Sequence, residues 1–342
     1  MIHFDCDYLH GAHPKIMERL AQATLEPHSG YGFDPYCEKA AALIREAVGN
    51  HFADIHFLVG GTQTNATLIG AVLHGAEAVL TAESGHINVH EAGAIEATGH
   101  KVITLPSKDG KLSADVIEKY LTDFYKDETW IHMSIPKLVY ISFPTEYGTI
   151  YSLKELEAIA AVCKRYSLKL YVDGARLAYG LAAKGNDVTL KDLGRLCDAF
   201  YIGGTKVGTL FGEAVVLKSR SIIPNFFTYV KRMGALLAKG WLNGLQFETM
   251  FTDGLYMECG RLGVDWAMKL REVFKQAGYE PIVDSPTNQQ FFTLPNTLIN
   301  KLQKEATFEF WGPRGEESST VRFVTSWATT EQDIEGLRAL LK

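Results

Sequence analysis

Residues 200–217 read FYIGGTKVGTLFGEAVVL. An apolar run enters, glycines and threonines follow, and a second apolar run leaves. Between the runs stands one lysine, Lys206. The interval is too short for a crossover helix, so the two runs form an antiparallel strand pair. A solubilising surface lysine rarely has such neighbours. It reads as a phosphate contact, a reactive amine or a plain turn residue, and the rest of the chain has to choose.

Working outward, five more short apolar runs precede this pair. They are HFLVG (56–60), AVLTA (78–82), KVITL (101–105), LVYISF (138–143) and LKLYVD (168–173). Amphipathic stretches at 61–75, 86–99, 113–125 and 152–166 separate them and read as helices. Such alternation makes βαβ units and a mostly parallel sheet. Continuous apolar strands fit a sheet covered by helices on both faces. A helical stretch follows from about 225 to 277, then YEPIVDSP, QQFFTL, ATFEFWG and TVRFVTSW as short strands, and a closing helix from 330. The expectation is an α/β domain over 1–250 and a smaller α+β domain over 251–342.

The composition is that of a globular chain: 342 residues, 46% hydrophobic, 22% charged, formal net charge −6. That charge balance argues against a nucleic-acid groove or an anionic membrane surface, both of which need basic patches. Cysteines 6, 37, 163, 197 and 259 form no C-x-x-C and are odd in number, which fits reduced thiols in the cytoplasm. The opening MIHFDCDYLHG does not read as a signal peptide, and no apolar run is long enough to span a bilayer.

In open α/β sheets, ligands bind at the carboxyl ends of strands. Asp173 closes LKLYVD and Lys206 follows AFYIGG, so an acid and an amine stand at two such ends. By themselves they read equally as a salt bridge. GGTQTN (60–65) joins a strand to a helix, where the first N–H groups, with the Thr62 and Thr64 hydroxyls, form a phosphate cup or a simple cap. His86 lies at another strand-to-helix junction. His86, His90 and Glu91 also allow a metal-hydrolase reading, although H-E-x-x-H is not met. Phosphate cup, acid, lysine and flat ring partner together are what pyridoxal phosphate requires.

This ordered set resembles the threonine aldolase and β-eliminating lyase family of fold type I pyridoxal-phosphate enzymes. The matching pieces are FDCDYLHGAHPKIMERL, SGYGFDPYCEKAAALIREAVG, FLVGGTQTNATLI, ESGHINVHEAGAIEATGHKV, YVDGARL, IGGTKVG and TVRFVTSW. The resemblance implies a seven-stranded, mostly parallel sheet sandwiched by helices. It implies Lys206 bonded to the cofactor aldehyde, Asp173 at the pyridine nitrogen, and His86 stacked on the ring. Gly61 and Thr62 would hold the phosphate. Arg176 and Arg322 would hold the substrate carboxylate, with Arg176 also beside the cofactor. Cys6 stands where many members have a carboxylate-binding serine. Tyr31 would lie near the site, and Lys231 or Arg232 near the phosphate, across a dimer or tetramer interface. The implied reaction is retro-aldol cleavage of a β-hydroxy-α-amino acid such as threonine, or of a phenylserine-type substrate. A β-eliminating lyase or racemase would share the same residues.

Overall fold

The computed structural model describes residues 1–342. The strands are β1 (Ile2–His3), β2 (Asp54–Leu58), β3 (Glu77–Ala82), β4 (Lys101–Leu105), β5 (Ile135–Ser142), β6 (Lys169–Asp173), β7 (Ala199–Gly203), β8 (Glu213–Leu217), β9 (Gln289–Pro295), β10 (Ala306–Thr307), β11 (Glu309–Phe310) and β12 (Ser318–Val324). Seven of them form one sheet in the order β2-β8-β7-β6-β5-β3-β4. Only β8 runs against its neighbours. It pairs with β7 in register, Gly203 opposite Glu213, so the lysine turn is an antiparallel connection.

The five inner strands are buried on both faces, the edge strands β2 and β4 only in part, and alternate residues split between two cores. Val139, Ile141, Leu170, Val172, Phe200, Ile202 and Val216 face one helical layer. Leu138, Tyr140, Tyr171, Ala199, Tyr201, Val215 and Leu217 face the other. Three tyrosines therefore share a face in the middle of the sheet.

The helices obey their end signals. Ser152 caps Leu153–Tyr166 in a reciprocal box with Glu155, and Ser113 caps Ala114–Lys126. The helix expected over 86–99 is different. It makes one turn, His86–Val89, and a 3-10 turn at Glu96–Thr98. Ala92 and Gly93 have φ of 51° and 73°, left-handed values that end a right-handed helix. The expected long helical stretch is three helices, Phe226–Arg232, Trp241–Phe251 and Leu255–Gln276.

A three-stranded antiparallel sheet, β11-β12-β9, carries the C-terminal part. YEPIVDSP contributes only a single bridge, Pro281 to Phe292, not a strand. The helix Leu255–Gln276 is shared: Leu255, Tyr256 and Cys259 pack in the large core, and Leu270, Val273 and Phe274 in the small one. The N-terminus crosses over too, because β1 pairs with β10 and the Val324 N–H donates to the Phe4 carbonyl. All five cysteines are buried free thiols, and no helix is long and apolar enough to cross a membrane.

Candidate active site

The topology brings the carboxyl ends of β2, β3, β5, β6 and β7 and the start of β8 to one edge. A cavity of about 330 Å³ opens there. Gly60, Gly61 and Thr62 come from the turn after β2, His86 from the turn after β3, and Ser142 to Glu146 from β5. Asp173 and Arg176 come from β6, Lys206 from β7, and Glu213 from β8. The sequence expectation for Lys206, Asp173, His86, Gly61, Thr62 and Arg176 thus meets in one place. A larger cavity of about 540 Å³ lies elsewhere, around Tyr31, Phe33, Phe226 and Phe227, and holds none of this chemistry.

Asp173 is the best-anchored group. Its Oδ2 accepts from the Tyr140 hydroxyl at 2.6 Å and from the Asn65 amide at 3.0 Å. Its Oδ1 accepts from the Ala175 N–H at 3.0 Å. Burial alone would push this carboxyl up; His86 nearby and the Tyr140, Tyr201 and Asn65 donors outweigh it and hold it below the usual range. A carboxylate kept ionised in a buried site is suited to a protonated ring nitrogen.

Lys206 lines both this cavity and an adjoining recess. Desolvation, then the nearby Arg176 cation, push its amine below the ordinary lysine range, against the pull of Asp7, Asp173 and Glu213. A lowered pKa makes an amine available as a nucleophile near neutrality. The turn that carries it is tied on both sides. Glu213 accepts from the Gly204 N–H at 3.1 Å and the Thr205 hydroxyl at 2.8 Å, and the Tyr179 hydroxyl donates to the Lys206 carbonyl at 2.6 Å. The glycines here make room for protein rather than for a ligand. A Cβ on Gly203 would lie 2.3 Å from the Ala175 carbonyl oxygen, and one on Gly204 2.7 Å from that of Gly212.

His86 is held by Glu91. Its Nδ1 lies 2.7 Å from Glu91 Oε1, which also accepts from Asn65 at 2.7 Å, while the His86 N–H donates to Glu146 at 3.0 Å. Burial pushes the Glu91 carboxyl up. The metal reading of His86, His90 and Glu91 fails on geometry. Glu91 Oε1 is taken up by His86 Nδ1 and Asn65, the His90 ring lies 5.6 Å from that of His86 and 5.9 Å from Trp311, and no three such side chains converge. The helix Gly61–Val72 begins at the cavity with Gly60 in its cap position and no side-chain cap, so its first N–H groups are free for an anion.

The two arginines are engaged by acids. Arg176 donates from Nε and Nη2 to the two oxygens of Asp7, at 2.7 and 3.0 Å. Arg322 donates to Glu309 and, at 2.8 Å, to Gln289, and it lines an adjoining recess with Tyr8, His90 and Trp311. Within one chain, three expected residues are absent from the cavity lining: Arg322, which lines the recess, Cys6 and Tyr31. Cys6 is buried beside it, and Tyr8 takes the lining position. Tyr31, at φ 62°, lies in the other cavity with the Lys231 ammonium 4.5 Å from its ring centre. Sequence reasoning missed Asp7, Asn65, Glu213, Glu309 and the three tyrosines.

The sheet order and strand-end cavity define the class: the fold is that of the fold type I pyridoxal-phosphate enzymes. An aspartate aminotransferase from Thermus thermophilus, 13% identical, superposes with a TM-score of 0.71 over 99% of this chain and 90% of its own, a likeness of fold alone. The beta-eliminating lyase family model matches residues 4–278, and the chain belongs to that family. A threonine aldolase from Leishmania major is 43% identical over the whole of both chains, with a TM-score of 0.95. A low specificity L-threonine aldolase from Pseudomonas aeruginosa is 27% identical over 99% of this chain and 96% of its own.

Proposed function

We propose that this chain is a pyridoxal-phosphate-dependent aldehyde-lyase that cleaves the Cα–Cβ bond of β-hydroxy-α-amino acids, converting threonine or allo-threonine to glycine and acetaldehyde. The observation that carries it is the convergence of Lys206, Asp173 and His86 on one strand-end cavity whose far side is an uncapped helix start. The donor set fits the cofactor. Lys206 would hold its aldehyde, Asp173 its ring nitrogen, and the Gly61 and Thr62 N–H groups its phosphate, with the His86 ring against its face. When bound, pyridoxal phosphate supplies an electron sink for the charge left on Cα.

The chain's own residues do the rest. Arg176 and Arg322 orient the substrate carboxylate, which fixes which bond at Cα stands across the ring. The fork geometry of guanidinium suits that task. Asp7, fully buried and also bonded to Asn288, keeps Arg176 from rotating. His86 accepts the β-hydroxyl proton, directly or through a water, while Glu91 fixes the orientation of its ring. Tyr31 and Lys231, side by side and partly exposed, support a reading in which a second copy of the chain completes the site.

The recess walled by Trp311 and His90 favours a second substrate reading, a phenylserine-type amino acid with a flat β-substituent. One experiment tests both. Aldehyde release is measured from L-threonine, L-allo-threonine and phenylserine, with Lys206→Ala as control. Glycine and aldehyde in equal amounts, absent in the variant, are expected. Pyruvate or a D-amino acid in their place would move the function to elimination or racemisation.

A further inference from the structure

Arg322 and Arg176 differ in how their acidic partners are held. Asp7 is wholly buried, and it is fixed by Arg176 and by the Asn288 amide at 2.9 Å. Glu309 is the cross-strand neighbour of Arg322, on β11 opposite β12. Its side chain is 42% exposed, and its side-chain bond to the protein is the one from Arg322. Arg322 is the reverse: 7% exposed, with a buried Nε–H that has no partner. The guanidinium faces Trp311 at 5.1 Å and shares its recess with Arg176 and Lys206. A buried cation with an unmatched donor is a site waiting for an acceptor. A half-exposed carboxylate regains water on leaving, and the cost that remains, a buried guanidinium without a partner, is removed when another carboxylate takes its place.

We propose that Glu309 is an exchangeable occupant of the carboxylate subsite: it holds Arg322 in the absence of amino acid and gives up that guanidinium to the incoming α-carboxylate. This rests on the reading of Arg322 as a carboxylate binder. The exchange keeps the charge on Arg322 matched at every stage. It also discriminates, since an amino acid without a free carboxylate cannot displace Glu309. Asp7 does not exchange, because no solvent route opens to it and two donors hold it. Glu309 therefore sets the threshold that a ligand's carboxylate has to exceed.

The test is glycine binding to the cofactor-loaded protein, followed by calorimetry, in the parent, Glu309→Gln and Arg322→Gln. Glycinamide, which lacks the carboxylate, is the control ligand. In Glu309→Gln, glycine is expected to bind about two- to fivefold more tightly, the worth of a partly exposed ion pair. Glycinamide affinity is expected to stay where it was. Arg322→Gln is expected to weaken glycine by about tenfold or more. If Arg322→Gln leaves glycine affinity unchanged, the carboxylate-binding reading itself fails. If Arg322→Gln weakens glycine and Glu309→Gln weakens it too, Glu309 positions Arg322 and the exchange is overturned. Equal tightening for glycinamide would overturn it as well.

Discussion

Asn65 and Asp173, 108 residues apart in sequence, share a 3.0 Å hydrogen bond on the floor of the cavity. The same amide nitrogen donates to Glu91 at 2.7 Å, and the amide oxygen accepts from Tyr171 at 2.7 Å. One side chain thus ties Asp173, the carboxylate proposed for the ring nitrogen, to the carboxylate that holds His86. Asn65→Leu leaves both acids short of a donor. It is expected to cost about 2 kcal/mol or more, since each buried group left unmatched costs roughly 1–3 kcal/mol. Urea unfolding of the cofactor-free protein measures this; an unchanged midpoint would mean that the link is unimportant.

Glu91→Gln keeps the shape of the His86 partner and removes its charge. Turnover is expected to fall about tenfold to a hundredfold, within the range that a positioned acid–base group contributes. Steady-state kinetics on threonine reads it. A loss of less than twofold would count against His86 as the group that takes the hydroxyl proton.

The carboxyl of Glu213 is pushed up to about 8, chiefly by burial, with Thr205, Lys206 and the Gly204 N–H opposing. Its folded value lies above the ordinary value of 4.5, so the folded chain holds a proton that the unfolded chain has released between those two pH values. Stability from this group is full below pH 4.5 and is lost as pH rises through about 8. Lys206, whose amine is pushed down, works in the opposite sense. In Glu213→Gln the first contribution vanishes, so the variant is expected to gain stability relative to the parent from pH 5 to pH 8. Thermal midpoints across that interval provide the check, and a constant difference would contradict it.

Gly203→Ala sets a methyl group against backbone, 2.3 Å from the Ala175 carbonyl oxygen. Neither partner is a flexible side-chain tip. Overpacking of this sort costs about 1–3 kcal/mol and should shift the turn that presents Lys206. Loss of cofactor absorbance in purified protein, together with a lower thermal midpoint, is the expected result; full retention of both would refute the close packing.

Much of this arrangement was legible in the sequence. Apolar runs and their spacing marked all seven strands, and the short interval around Lys206 marked the antiparallel pair. Strand ends then placed Lys206, Asp173 and His86 together. The tyrosines were hidden because Tyr140, Tyr171 and Tyr201 sit in apolar runs and read as core. Strand alternation turns their phenols to the site floor, Tyr140 to Asp173 and Tyr171 to Asn65, and the two-residue spacing of Tyr171 from Asp173 was the available signal. Asp7 and Glu309 left no local trace, because their partners are 169 and 13 residues away and are chosen by tertiary packing. The helix over 86–99 was misread because Ala92 takes a left-handed φ that residue type alone does not announce.

The pairing of Ile2 with Ala306 has a consequence for synthesis on the ribosome. The segment made first waits for one made near the end. At about 5–20 residues per second, roughly 15 to 60 s separate the two. Asp7 lies four residues beyond the end of β1, so Arg176 emerges long before its partner is anchored. The seven-stranded sheet can assemble while translation continues, yet the pocket can close only afterwards. A bulky fusion placed just ahead of Ile2 should therefore slow maturation of the site far more than it slows formation of the sheet.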